Sequence, residues 1–231
     1  MPLSRRKVVQ RLLSLYEAPR YLEIGVSEGA TFNNVQAGRK VAVDPAFAFD
    51  VQAARASQPN AEFHEVTSDA YFGTIMGEDD EFDVIFLDGL HVFEQTLRDF
   101  TNAIDRLSPT GVILIDDVVP ESHFAAIGDV EVFRTMRRLG RATTASWMGD
   151  VYRLVFFIQT FFQQYTYRTI EDNHGQLVAW RERRATVPER RVEAVARTSY
   201  DDVVLQPADF NRRPFDEIVR ELELRHGATV R

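Results

Sequence analysis

From Tyr21 onward, apolar residues recur along the chain with two alternating spacings. Five short runs, YLEIGV, KVAVDP, AEFHEVTS, FDVIFLDG and GVILIDDV, are nearly continuous in apolar character and rich in β-branched side chains. Runs of that kind suit strands buried on both faces of a parallel sheet. Between the fourth and fifth lies HVFEQTLRDFTNAIDRL. There Phe93, Leu97, Phe100, Ile104 and Leu107 share one helical face, and Pro109 and Gly111 stop the helix. A shorter helical segment, FAFDVQAARAS, separates the second run from the third. Strand and helix in repetition predict an α/β fold with a doubly wound sheet.

The flanks read differently. Val8, Val9, Leu12, Leu13 and Tyr16 fall at helical spacing, which predicts an amphipathic helix within residues 1–18 and not a signal peptide. Residues 119–149 show no clear period. A connection that long inside a compact domain is usually functional, so it is expected to be a lid, with Trp147 and Met148 as candidate pocket residues. DVYRLVFFIQTFFQQ then sets Val151, Val155, Ile158 and Phe162 on a helical face. YTYRTI and QLVAWRE follow, joined by EDNHG, whose Asn173 to Gly175 signals a hairpin turn. The composition shifts from about Arg181, and residues 183–231 are expected to be an extension packing on the domain, 1–182, or on a partner subunit of a homo-oligomer.

Composition narrows the partners. The net charge of -8 argues against a nucleic-acid partner, which calls for a basic footprint. With no cysteine there is no disulfide, thiolate metal site or Cys nucleophile. LVFFIQTFF is too short to span a bilayer, so no membrane partner and a cytoplasmic location are expected.

The chemistry gathers at the strand ends. In open α/β sheets, ligands bind at the carboxyl ends of the strands. The first run ends in a glycine-spaced turn, Gly25-Val26-Ser27-Glu28-Gly29, expected to lead into a helix. The second ends in Asp44, the third in Ser68-Asp69, the fourth in Asp88-Gly89 and the fifth in Asp116-Asp117. Turns favour Asp on their own account, but five polar ends on five apolar strands form a set.

That set resembles class I S-adenosylmethionine-dependent methyltransferases, with EIGVSEG standing for the first motif and Asp44 for its acidic successor. FLDGLHVFEQTLRDF, LSPTGVILIDDVVP and WMGDVYRL are more narrowly similar to a bacterial small-molecule family that includes sugar O-methyltransferases. The resemblance spans roughly residues 20–182 and implies a Rossmann-like seven-stranded sheet with an antiparallel C-terminal hairpin. It also implies that Glu23 lies near the methionine amino group, that Gly25, Ser27 and Gly29 bring backbone to the cofactor, and that Asp44 takes the ribose hydroxyls. Ser68 and Asp69 would lie near the adenine, with Asp88 beside the cofactor. One departure is Ser27, where the family's G-x-G-x-G has its middle glycine. It keeps open an NAD-dependent Rossmann-type enzyme, and a non-catalytic cofactor-binding protein is the third reading.

Methyl transfer to a hydroxyl requires in-line alignment and loss of a proton. Two routes fit the residues. In one a histidine takes the proton, with His91 or His123 as the base and Asp88 at hand. In the other, Mg²⁺ or Mn²⁺ held by Asp88, Asp116 and Asp117 lowers the hydroxyl pKa; hard oxygen ligands select those ions. The acceptor is expected to be a small hydroxylated molecule, a sugar or a glycosylated natural product.

Overall fold

A computed structural model describes residues 3–141 and 146–229. The five apolar runs form parallel strands: β1 (Arg20–Ile24), β2 (Arg39–Val43), β3 (Ala61–His64), β4 (Phe82–Leu87) and β5 (Leu107–Ile115). β6 (Tyr165–Ile170) and β7 (Leu177–Arg181) make the expected hairpin, and β7 pairs antiparallel with β5. An eighth strand, β8 (Arg212–Arg213), runs parallel to β6. The order is β3-β2-β1-β4-β5-β7-β6-β8. The sheet therefore carries one strand more than the seven expected, supplied by the last fifty residues.

Apolar side chains fill both faces of the sheet. On one face, Leu22, Ile24, Ile85 and Ile113 pack with Phe100 of α4 (Phe93–Asp105) and Leu154 and Ile158 of α6 (Arg153–Phe161). On the other, Tyr21, Val84, Phe86 and Leu114 pack with Val8, Val9, Leu12 and Leu13 of α1 (Arg5–Leu13). The same face holds Phe215, Ile218, Val219 and Leu222 of α9 (Phe215–Thr229). Val195 of α7 (Val192–Ala196), Val203 of α8 (Tyr200–Leu205) and Phe210 join the first core. The extension is thus packed on this chain's own domain, on both faces.

Several local expectations change. The glycine turn leads into a 3₁₀ turn, Phe32–Asn34, and not an α-helix. Buried Lys40 of β2 braces that connection by donating from Nζ to the carbonyls of Phe32 and Val35 at 2.9 and 3.1 Å. The helix in FAFDVQAARAS is α2 (Val51–Ser57), capped by the Asp50 side chain. A helical turn, α3 (Ser68–Ala70), begins at the end of the third run. α4 ends at Asp105, so Leu107 opens β5 instead of closing the helix. Among the described residues of 119–149 there is one helix, α5 (Val130–Arg138); residues 142–145 of the expected lid lie outside those described. Among the described residues, no helix is long and apolar enough to cross a membrane.

Candidate active site

The glycine-spaced turn is shaped first by its own neighbours. Gly25 has φ 86°, and a Cβ there would overlap the carbonyl of Asp88 at the end of β4. The close approach that needs a glycine is therefore strand end to strand end. Ser27 adopts φ 47°, the left-handed region that the usual glycine enters without strain. It is held there by Asp44: the Ser27 N–H donates to Asp44 Oδ2 at 2.8 Å, and the Ala46 N–H donates to Oδ1 at 2.8 Å. Asp44 thereby ties the first strand end to the second.

Glu23 is buried on β1, where its Oε2 accepts the Tyr21 hydroxyl at 2.6 Å. Burial pushes its carboxyl up to about 8, although that hydrogen bond and Lys40 both oppose the rise. Across the site, the Gln95 amide lies 3.1 Å from Ser68 Oγ, Asp69 Oδ1 and Asp99 Oδ1. Gln95, on α4, is a residue that strand-end reasoning has no means to find.

Two cavities meet over these strand ends. One, of ≈ 490 Å³, is lined by Val43, Asp44, Ser68, Asp69 and Gln95. The other, of ≈ 740 Å³, is lined by Arg5, Glu23, Asp117, Trp147, Met148 and His174. Gly25, Ser27, Asp88 and His91 line both. All the cofactor-side residues named from sequence except Gly29 thus fall on one or both cavities, and Gly29 closes the turn with φ 71°.

His91 sits at the junction. Its Nδ1 is 2.7 Å from Asp117 Oδ2, and its Nε2 is 3.8 Å from Asp88 Oδ1. The ring lies 5.5 Å from that of Trp147, which is fixed by its own Nε1–H donating to the Ile127 carbonyl at 2.6 Å. A neutral imidazole that donates from Nδ1 leaves Nε2 free to accept a proton. His123 is placed elsewhere. Its side chain is 67% exposed, 3.0 Å from Asp201 and tilted against the Tyr200 ring at 4.6 Å, and it lines neither cavity. Asp201 and Tyr200 of the extension draw it away from the strand ends.

The three aspartates proposed for a metal do converge, because β5 has ended at Ile115 and Asp117 turns with φ 56°. Both Asp116 and Asp117 therefore reach the same region. They converge on Arg5, a residue that the sequence analysis did not single out. The guanidinium bonds Asp116 and lies 3.5 Å from Asp88 and 3.6 Å from Asp117. His174, expected only as a turn residue, places Nε2 2.7 Å from Asp116 Oδ1. Burial would raise the Asp116 carboxyl, but His174 and Arg5 bring it down to about 2. Burial and the neighbouring Asp116 carboxylate push Asp88 well above the usual range. Two groups, Asp88–His91–Asp117 and Asp116–Asp117–His174, each bring ligand atoms within 4.8 Å of one another. The carboxylates of both already face a guanidinium. A hard cation needs its own shell of oxygens, so a metal among all three aspartates does not fit while Arg5 is in place.

Comparison with known proteins bears on the fold that carries this site. Residues 22–118 match the family described as a methyltransferase domain. No curated protein matches. Among solved structures, TomG, the O-methyltransferase from Streptomyces achromogenes involved in tomaymycin synthesis and solved with S-adenosylmethionine, aligns with TM-score 0.52 at 18% identity, over 75% of this chain and 78% of that one. The O-methyltransferase from Bacillus cereus, with S-adenosylhomocysteine, aligns with TM-score 0.51 at 18% identity, over 78% and 82%. The Podospora anserina methyltransferase PaMTH1, also with S-adenosylhomocysteine, gives TM-score 0.53 at 16% identity, over 78% and 80%. At such identities the likeness shows the fold alone.

Proposed function

We propose that this chain, which matches a methyltransferase domain family over residues 22–118 and shares the fold of solved methyltransferases, transfers a methyl group from S-adenosylmethionine to a hydroxyl of a small molecule, a sugar or a glycosylated natural product. The observation that carries this reading is the pair of cavities joined at Gly25, Ser27, Asp88 and His91. The narrower one suits an adenosine, and the wider one suits a hydroxylated acceptor facing the imidazole.

The donor set fits the cofactor. Glu23, Asp44, Asp69 and Asp88 give the joined cavities an acidic lining, favourable to a cofactor that brings an ammonium and a sulfonium. When bound, S-adenosylmethionine supplies the electrophilic methyl group. Asp44, set between two backbone N–H donors, is placed to accept ribose hydroxyls. Ser68, Asp69 and Gln95 form the far wall, where the adenine would lie. Glu23 stands on the methionine side. Around the acceptor, His91 Nε2 takes the hydroxyl proton, while Asp117 orients the ring and stabilises the imidazolium that results. Trp147 backs the ring and offers an aromatic face to the acceptor. The lid role of 119–149 belongs to the same reading: Val119, Pro120, Glu121, Trp147 and Met148 all line the wider cavity.

The test is mass spectrometry of the protein purified without added ligand, followed by methyl-transfer assays on a panel of sugars and glycosides. Co-purified S-adenosylmethionine or S-adenosylhomocysteine, and a methylated hydroxyl on one acceptor, are the expected results. Tight binding of NAD with no binding of S-adenosylmethionine would overturn the reading. Cofactor binding without turnover on any acceptor would leave a binding protein instead.

A further inference from the structure

The register of α1 decides what Arg5 can do. Val8, Val9, Leu12 and Leu13 are fully buried against the sheet, so one face of the helix is fixed over β4 and the strands beside it. Arg5 lies three and four residues before Val8 and Val9, on that same face. It is also the first residue of the helix, and its side chain therefore projects past the packed turns toward the strand ends. There it meets carboxylates from two different strands: Asp88 after β4, and Asp116 and Asp117 after β5. The side chains of Asp116 and Asp117 are 1% and 7% exposed. Carboxylates so buried are costly unless paired. A guanidinium is suited to the task, because its planar fork can serve several oxygens at once.

We propose that Arg5 is the resident counter-cation of the Asp88–Asp116–Asp117 cluster, holding the place a divalent ion would otherwise take and excluding it. The cluster is then a competition between the chain's own cation and a metal. Removing Arg5 opens a divalent-cation site that the intact protein keeps closed.

The experiment measures Mn²⁺ binding directly, by loss of the free-ion electron paramagnetic resonance signal, on the full chain. Arg5 is 40% exposed on a helix anchored elsewhere, so Arg5→Gln keeps the fold, and circular dichroism checks that it has. Arg5→Gln is expected to bind Mn²⁺ at least about tenfold more tightly than the intact chain, a difference well outside titration error. Adding Asp117→Asn to that variant is expected to abolish the gain, which assigns the new site to the cluster. Equal Mn²⁺ affinity with and without Arg5, whether tight or weak, would overturn the proposal. So would a gain that survives Asp117→Asn. The inference rests on the cluster and not on the acceptor, and S-adenosylhomocysteine binding to the same proteins, followed by calorimetry, tests the methyltransferase reading separately.

Discussion

His91 Nδ1 lies 2.7 Å from Asp117 Oδ2, and Asp117 makes that contact from the left-handed region of backbone space. A non-glycine residue held there costs of order 1 kcal/mol or more, which the surrounding contacts must offset. Its neighbours show the same constraint: Gly149 has φ 64°, and a Cβ there would overlap the His91 carbonyl. The ring is thus fixed from its carboxylate, its backbone and the Trp147 side. Replacing His91 with Ala is expected to lower kcat by roughly 10²–10⁴-fold, the range for general-base catalysis. Asp117→Asn should cost less, because the amide oxygen still accepts from Nδ1. S-adenosylhomocysteine affinity should change little in either. Steady-state kinetics beside calorimetry would show this, and near-normal turnover in His91→Ala would remove His91 as the base.

Ser27 carries strain that a glycine would not. Ser27→Gly removes a left-handed penalty of about 1–2 kcal/mol but adds about 0.5–1 kcal/mol of chain entropy to be lost on folding. The net expectation is a stability gain of roughly 0–1.5 kcal/mol. Ser27→Val, with a branched Cβ in the same region, should destabilise clearly. Thermal unfolding of the two variants tests the pair. A marked loss on Ser27→Gly would mean that the serine hydroxyl holds the turn, contrary to the backbone account.

These outcomes bear on what the sequence discloses. The five parallel strands are legible because each is a nearly unbroken apolar run, and their acidic ends follow from a general rule about where ligands bind. The hairpin is legible from Asn173 and Gly175. Arg5 is not, because a charged residue on an amphipathic helix looks like solvated surface, and its partner Asp116 is 111 positions away. His174 is hidden in the same way, 58 positions from that carboxylate. β8 is two arginines with no apolar signal, paired only because the 3₁₀ turn at Pro207–Phe210 delivers them to the edge of β6. α5 buries a single residue, Phe133, so its period is too thin to read. The missing helix after β1 is a tertiary choice, in which Lys40 braces a short connection from below.

Asp44 has two duties, and variants separate them. It receives backbone N–H groups from Ser27 and Ala46, and in the proposed function it also receives ribose hydroxyls. Asp44→Ala is expected to weaken cofactor binding by about 1.5–3 kcal/mol, the range for hydrogen bonds to a charged group. It should also lower the melting temperature, since two backbone N–H donors lose the acceptor that holds the turn. Asp44→Asn keeps one oxygen and should fall between the two in both measurements. Calorimetry and thermal unfolding on both variants decide the matter; a loss of stability with unchanged affinity would confine Asp44 to the turn.

Glu23 links cofactor binding to pH. Its folded-state pKa is raised to about 8, chiefly by burial, whereas an unfolded glutamate titrates near about 4.3. Between those values the folded chain binds more protons here than the unfolded one. The stability this group contributes is therefore fully present below the unfolded value and is lost as pH rises through about 8. For one proton, the slope is at most about 1.4 kcal/mol per pH unit. An ammonium placed against Glu23 favours the charged form and so opposes this shift. Binding of S-adenosylmethionine near neutral pH is then expected to expel a proton from the carboxyl. Calorimetry in two buffers of different ionisation enthalpy should give different apparent binding enthalpies, the difference reporting up to one proton released. Glu23→Gln should abolish most of that difference and flatten the stability of the free protein between pH 5 and about 8. Asp88, also raised, would account for any release that persists in Glu23→Gln. If the buffer dependence is unchanged in that variant, Glu23 does not face the cofactor's ammonium.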